Sequence, residues 1–279
     1  MNLPPILSVL FLSLVASLGT GLGGLLVLIR QPGKRSFGFL MGMTAGVMIS
    51  LSFLELVNEA WELGGAWTAT FGFGAGAILM FLLDFYIPHI RFGEKETHAQ
   101  TDIKTGPHPP LSQHGRHRYD RLVHENPIVD RKLLNTGLLL AIGITIHNLP
   151  EGIAVGAGYM HSPQFGLFIA VAILLHNIPE GIATALPLYQ GGMSKRKAFS
   201  IALLSGLAEP VGAVFAALFL GAFRPLVPFS LALAGGVMMF ITLDELIPAA
   251  REHGHQHTTA LGIIVGSMFV FILSALFGV

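Results

Sequence analysis

The chain has 279 residues, 52% of them hydrophobic and only 11% charged, with a mean hydropathy of +0.67; a soluble domain carries about a quarter charged residues, so these values select a polytopic membrane protein. Sixteen Lys and Arg balance sixteen Asp and Glu, which leaves no basic field for nucleic acid. Cysteine is absent, excluding disulfides, a thiolate nucleophile and a cysteine metal site, so any metal must be held by nitrogen, oxygen or thioether.

The apolar runs are far longer than the ~4–8 residues of a buried strand, and they predict an all-α fold of eight transmembrane helices. The first, 5–29, exceeds the ~7–15-residue core of a signal peptide. Arg30, Lys34 and Arg35 follow it rather than precede it, so it reads as a retained helix. Spans at about 36–58 and 66–88 complete a first unit, 1–88. The segment 89–132 is polar, contains GPHPP, and holds His89, His98, His108, His114, His117 and His124. That composition fits a disordered linker, or a weak, flexible metal-collecting segment. Spans at about 133–158 and 165–189 form a central pair within 133–190. The last unit, 191–279, holds spans at about 197–222, 228–250 and 258–278, with HGHQH (253–257) in its final loop. If the spans alternate, fifteen of the sixteen Lys and Arg fall on one side and only Arg224 on the other. The positive-inside bias then places both termini outside and 89–132 in the cytoplasm.

An internal repeat sets the arrangement. GVMISLSFLELVNEAWE (46–62) aligns without a gap on GVMMFITLDELIPAARE (236–252), with seven of seventeen positions identical, among them Met48 with Met238 and Glu55 with Glu245. The two copies lie in spans that run in opposite directions. A 3+2+3 architecture follows, with spans 1–3 and 6–8 as an inverted repeat and a substrate site near the midplane.

Seven acidic residues fall within the spans: Glu55, Asp84, Glu151, Glu180, Glu209, Asp244 and Glu245. Each costs about 2.5–3.5 kcal/mol on insertion scales if left at the bilayer centre. No Lys or Arg lies inside the spans, Lys197 standing at the edge of one, and a bound cation is the simplest source of the missing charge. HNLPEG from His147 and HNIPEG from His176 put His147 with Glu151, and His176 with Glu180, on one helix face at i and i+4. Pro150 and Pro179 loosen the turn between them, and Asn148 and Asn177 add a neutral oxygen. Imidazole with carboxylate suits zinc and other first-row divalent ions. Glu209, in SGLAEPVGA, repeats the Glu-Pro theme and is expected at the same cavity. Met48 and Met238 are thioethers that serve either as packing or as soft ligands. Glu55 and Glu245 read as inlet and outlet carboxylates, or alternatively as interface charges that snorkel, with release past Asp244 and Glu245 toward His253, His255 and His257.

HNLPEG, HNIPEG, SGLAEP and DELIP together resemble the signature of the ZIP (Zrt-/Irt-like) divalent metal transporters, in their bacterial ZupT/GufA-type branch, over essentially the whole chain. The resemblance implies a two-metal centre. His147, Glu151, His176 and Glu180 would form one site; Asn148, Asn177 and Glu209 would form the other, with Glu151 and Glu180 available to bridge and Met48 as a thioether ligand. It also implies zinc, iron, manganese, cobalt or cadmium as transported substrate rather than catalytic cofactor, movement toward the cytoplasm, and an elevator-like motion of spans 1, 4, 5 and 6 against the others. A homodimer in a bacterial inner membrane is the expected setting. No enzyme is expected: an intramembrane zinc metalloprotease, the main alternative, commonly carries HExxH, which is absent. An efflux carrier or a passive channel using the same site is the other alternative.

Overall fold

The computed structural model describes residues 4–86, 130–253 and 256–279. Among them there is no strand. The chain runs through α1 (Pro5–Ile29), α2 (Lys34–Ser50), a π-turn (Leu51–Val57), α3 (Asn58–Tyr86), α4 (Arg131–His161) and α5 (Pro163–Gln190). It continues through α6 (Lys195–Gly206), α7 (Ala208–Ala222), α8 (Val227–Ile241), a second π-turn (Thr242–Leu246), α9 (Ile247–His253) and α10 (Gln256–Phe277).

Among the described residues, seven helical stretches are long and apolar enough to cross a membrane. The expected eight spans differ from this at one place. Those at 36–58 and 66–88 belong to a single 50-residue run, Lys34–Leu83. Straight, at ~1.5 Å per residue, it would reach about 75 Å, more than twice a ~30 Å hydrocarbon layer. It is kinked at Gly65, where φ 77° and ψ 169° leave the helical region, a conformation open to a residue without Cβ. Helix resumes at once, so Gly64-Gly65 makes a corner and not a loop.

Large apolar side chains cover the outside, such as Phe11 on α1, Phe71 and Phe85 on α3, and Ile272 and Leu276 on α10. The interior is built largely from small residues and, unusually, from acids, imidazoles and amides. An apolar exterior and closely packed small residues between helices are what a bilayer solvent favours.

Helix contacts sort into two sets. α1, α4, α5, α6 and α7 pack on one another, and α2, α3, α8, α9 and α10 do likewise; α4 on α8 and α2 on α5 are the main joins. Within the second set the sequence repeat has a structural counterpart. A Cβ added at Gly46 would collide with the Ile263 carbonyl, and one at Gly236 with the Phe73 carbonyl. From 46 to 236 and from 73 to 263 is the same shift of 190. α2 therefore packs on α10 as α8 packs on α3. Both copies also widen into a π-turn at matching positions, and these turns carry Glu55 and Glu245, both buried.

Candidate metal centre

The central hairpin is fixed at its tip. α4 ends at His161, the Ser162 hydroxyl accepts a bond from the Phe165 N–H at 3.1 Å, and Pro163 opens α5, a strong helix start. Each helix runs through its internal proline, Pro150 or Pro179, without ending. Pro150 and Pro179 each withhold a backbone donor beside the motif, and α5 carries a further internal proline, Pro187. The glycine closing each PEG triplet is the contact point with a neighbour: a Cβ on Gly152 would meet the Glu209 carbonyl of α7, and one on Gly181 the Thr20 carbonyl of α1. Their bare backbones let α7 and α1 close on the hairpin, which brings Glu209 into the centre.

Glu151 Oε1 lies 2.8 Å from His147 Nε2 and 2.8 Å from His176 Nε2. His147 Nε2 is also 3.2 Å from Glu180 Oε1. His147, Glu151 and Glu180 offer ligand atoms that all lie within 4.8 Å of one another, and His176 joins them through the shared carboxylate. Yet His147 Nε2 has no hydrogen-bond partner at an acceptable angle, and neither has either oxygen of Glu180. His176 Nε2 and Glu151 Oε1 are hydrogen-bonded to one another, whereas His147 Nε2 and the Glu180 oxygens lie close without satisfying one another.

A second, oxygen-rich group adjoins the first. Asn177 Nδ2 donates to Glu209 Oε2 at 2.9 Å and to the Ala16 carbonyl at 3.2 Å. Asn148 Nδ2 donates to the Ser205 carbonyl at 3.0 Å. Both amides are therefore held by their nitrogens. Asn148 Oδ1, Asn177 Oδ1, Glu209 Oε1 and Glu151 Oε2 are left buried with no partner. Each such acceptor costs about 1–3 kcal/mol, more for a charged one, and a cation is one partner that could satisfy them. All seven residues of the two groups are at most 5% exposed.

Met48, on α2, is fully buried, 3.6 Å from the Thr242 hydroxyl, which gives its proton to the closer Met238 carbonyl at 2.7 Å. One turn earlier, Thr44 donates to the His176 carbonyl at 3.3 Å and so joins α2 to the centre. Glu55 and Glu245 are buried in the π-turns, and Asp244 is exposed. His257 is exposed on α10. The His255 expectation and those for the histidines of 89–132 up to His124 lie outside the described residues, as do the side chains of Asp84 and His253. Sequence reasoning missed Thr44, Thr20 and the carbonyls of Ala16 and Ser205. Backbone acceptors leave no mark on a residue string, and a helical threonine has many uses.

The family model described as "ZIP Zinc transporter" matches residues 3–274. The "Zinc transporter ZupT" of Akkermansia muciniphila is 36% identical over 286 residues, covering 96% of this chain and 97% of that protein. That of Oceanobacillus iheyensis is 39% identical, covering 91% and 92%. "Zinc transporter ZTP29" of Arabidopsis thaliana is 38% identical, covering 91% of this chain and 89% of the relative.

Proposed function

The chain belongs to the ZIP zinc-transporter family, a family of transporters and not of enzymes, and on that premise we propose that it carries divalent metal ions, zinc first, into the cytoplasm by alternating access. It is an integral membrane protein with several membrane-spanning helices. The observation that carries the reading is the sharing of Glu151 Oε1 between His147 and His176 at 2.8 Å each. Two imidazoles and two carboxylates around one buried space make a zinc-type donor set. The oxygen-rich group beside it provides for a second ion, with Glu151 and Glu180 as bridges.

Burial of every ligand supports alternating access over an open channel, since an ion reaches the centre only if helices move apart. The two helix sets are the natural moving parts: α1, α4, α5, α6 and α7 hold the seven ligands, while α2, α3, α8, α9 and α10 supply Met48 and the two π-turns. Lys34–Leu83, cornered at Gly65, serves as two crossing limbs and brings the count of spans to eight in a 3+2+3 order. Both termini then lie outside, in a bacterial inner membrane and in a homodimer. Glu55 stands on the inlet side, and Asp244, Glu245, His253, His255 and His257 on the outlet side.

The test is zinc uptake into proteoliposomes, with iron, manganese and cadmium as competitors. Glu151→Ala and Glu180→Ala should each abolish uptake while the protein remains monodisperse. Undiminished uptake in either variant removes the assignment.

A further inference from the structure

The centre has a pseudo-twofold relation that gives each His, Asn and Glu of the two HN-x-PEG motifs a like mate but gives Glu209 none. Asn177 donates to the Ala16 carbonyl as Asn148 donates to that of Ser205. Gly23 faces the Ile178 carbonyl as Gly212 faces that of Leu149, and Gly181 faces the Thr20 carbonyl as Gly152 faces that of Glu209. In every case the α5 residue corresponds to an α4 residue 29 positions earlier, and the α1 residue to an α6 or α7 residue 189 positions later. The relation doubles the histidine, the asparagine and the glutamate of the motif. It pairs Glu209 with Thr20.

Thr20 does not behave as a packing threonine. Its side chain is 0% exposed, and its hydroxyl has no hydrogen-bond partner. Thr145, Thr184 and Thr242 return their protons to the carbonyl four residues back, the usual resort of a hydroxyl inside a membrane helix. For Thr20 that carbonyl belongs to Ala16, the one that receives the Asn177 amide. The Thr20 backbone lies on Gly181, the neighbour of Glu180, and its hydroxyl faces Gly206, the neighbour of Ser205. A buried, unpartnered hydroxyl with two acceptor lone pairs thus belongs to the residue that the symmetry pairs with Glu209.

We propose that Thr20 is a further residue of the centre, its hydroxyl filling the place opposite Glu209 in the oxygen-rich group and helping to set which divalent ion that group accepts. The inference rests on the reading above that Asn148, Asn177 and Glu209 hold an ion. With Glu151 and Glu180 as bridges, that group has five oxygens from five residues, and Thr20 adds a sixth. Six oxygens are the complement of an octahedral, hard ion such as manganese, in contrast to the nitrogen-bearing first group. A neutral oxygen in the sixth place, instead of a second Glu209, keeps one negative charge out of the site, so the ion is held less tightly and released faster.

The experiment is Mn2+ titration of the purified full-length protein in nanodiscs, with bound Mn2+ read by electron paramagnetic resonance. Glu209→Thr should weaken Mn2+ binding at least about tenfold, and adding Thr20→Glu to it, which exchanges the two residues across the pseudo-axis, should recover most of that loss. Thr20→Val should weaken binding about tenfold, the scale of losses at metal-site supporting groups, while Thr20→Ser stays within about twofold. If Glu209→Thr leaves Mn2+ binding unchanged, the oxygen-rich group itself is misassigned. If Glu209→Thr weakens it but the folded exchange variant recovers nothing, the inference about Thr20 alone is overturned. Should the exchange variant fail to fold, equal binding by Thr20→Val and wild type overturns it instead.

Discussion

His161 Nε2 lies 2.8 Å from Glu59 Oε1, and this ion pair fastens the tip of the hairpin bearing both HN-x-PEG motifs to the helix that follows the first π-turn. The partners belong to different helix sets. They sit at the end of the bundle opposite Lys195, which caps α1 through the Leu28 carbonyl. If the two sets move apart in the proposed transport cycle, this contact breaks each time.

The first prediction follows from that pair. Both side chains are 27% exposed, and pairs of this kind contribute about 0.2–1 kcal/mol. Glu59→Gln or His161→Ala should therefore change the maximal zinc uptake rate by no more than about fivefold, with the half-saturating concentration held near wild type. Proteoliposome uptake over a range of zinc concentrations measures both. A large change in half-saturation with an unchanged maximal rate would show that the pair belongs to ion binding instead.

Unequal losses are expected at the two bridging carboxylates. Glu151 approaches both histidines, whereas Glu180 approaches His147 alone. In zinc titrations by calorimetry, Glu151→Gln should lower affinity more than Glu180→Gln. The reverse order contradicts the shared-carboxylate geometry.

The motif glycines, which lie against neighbouring backbone, should be far less tolerant than a glycine with open space around it. Gly152→Ala and Gly181→Ala set a methyl group against the backbone of a neighbouring helix, the kind of overpacking that costs typically ~1–3 kcal/mol. Gly74 has nothing within 4 Å of a Cβ position. Its replacement by Ala should be neutral or stabilise the helix by up to ~1 kcal/mol. Thermal unfolding in detergent, followed by circular dichroism, distinguishes these outcomes. Equal stability of Gly152→Ala and Gly74→Ala would show that the contact with Glu209 is not tight.

Acid should weaken metal binding. Imidazole and carboxylate bind a metal through lone pairs that protons also occupy, so binding releases protons and apparent affinity falls as pH falls. With two histidines and three glutamates at the centre, zinc affinity measured from pH 8 down to pH 5 should decline monotonically. Proton release should be detectable in weakly buffered calorimetry at neutral pH. A pH-independent affinity would mean the ion is held elsewhere.

Much of this site was legible because its chemistry conflicts with its surroundings. His147, Glu151, His176 and Glu180 stand out in an apolar string, and their i, i+4 spacing aims each pair from one helix face. Glu209 was found by the same contrast, and the structure bonds it to Asn177. Gly65 was not read as a corner within a continuous helix, because hydropathy registers polarity and is blind to a single backbone dihedral. The grip of Ala16 and Ser205 on the two asparagines was hidden for a related reason: every residue has a carbonyl, and only packing decides which ones remain free. Thr20 became visible only when the shift that relates α1 to α7 was known. The motif residues alone supply one shift, 29, and the Met48 repeat another, 190.

The paired π-turns carry the repeat from sequence into backbone. A π-turn widens a helix locally, and here it occurs at overlapping register in both copies of the repeat, at Leu51–Val57 and Thr242–Leu246. The widening is thus a property of the repeated unit, present where the residues beside it differ, Asn58 against Pro248 and Trp61 against Arg251.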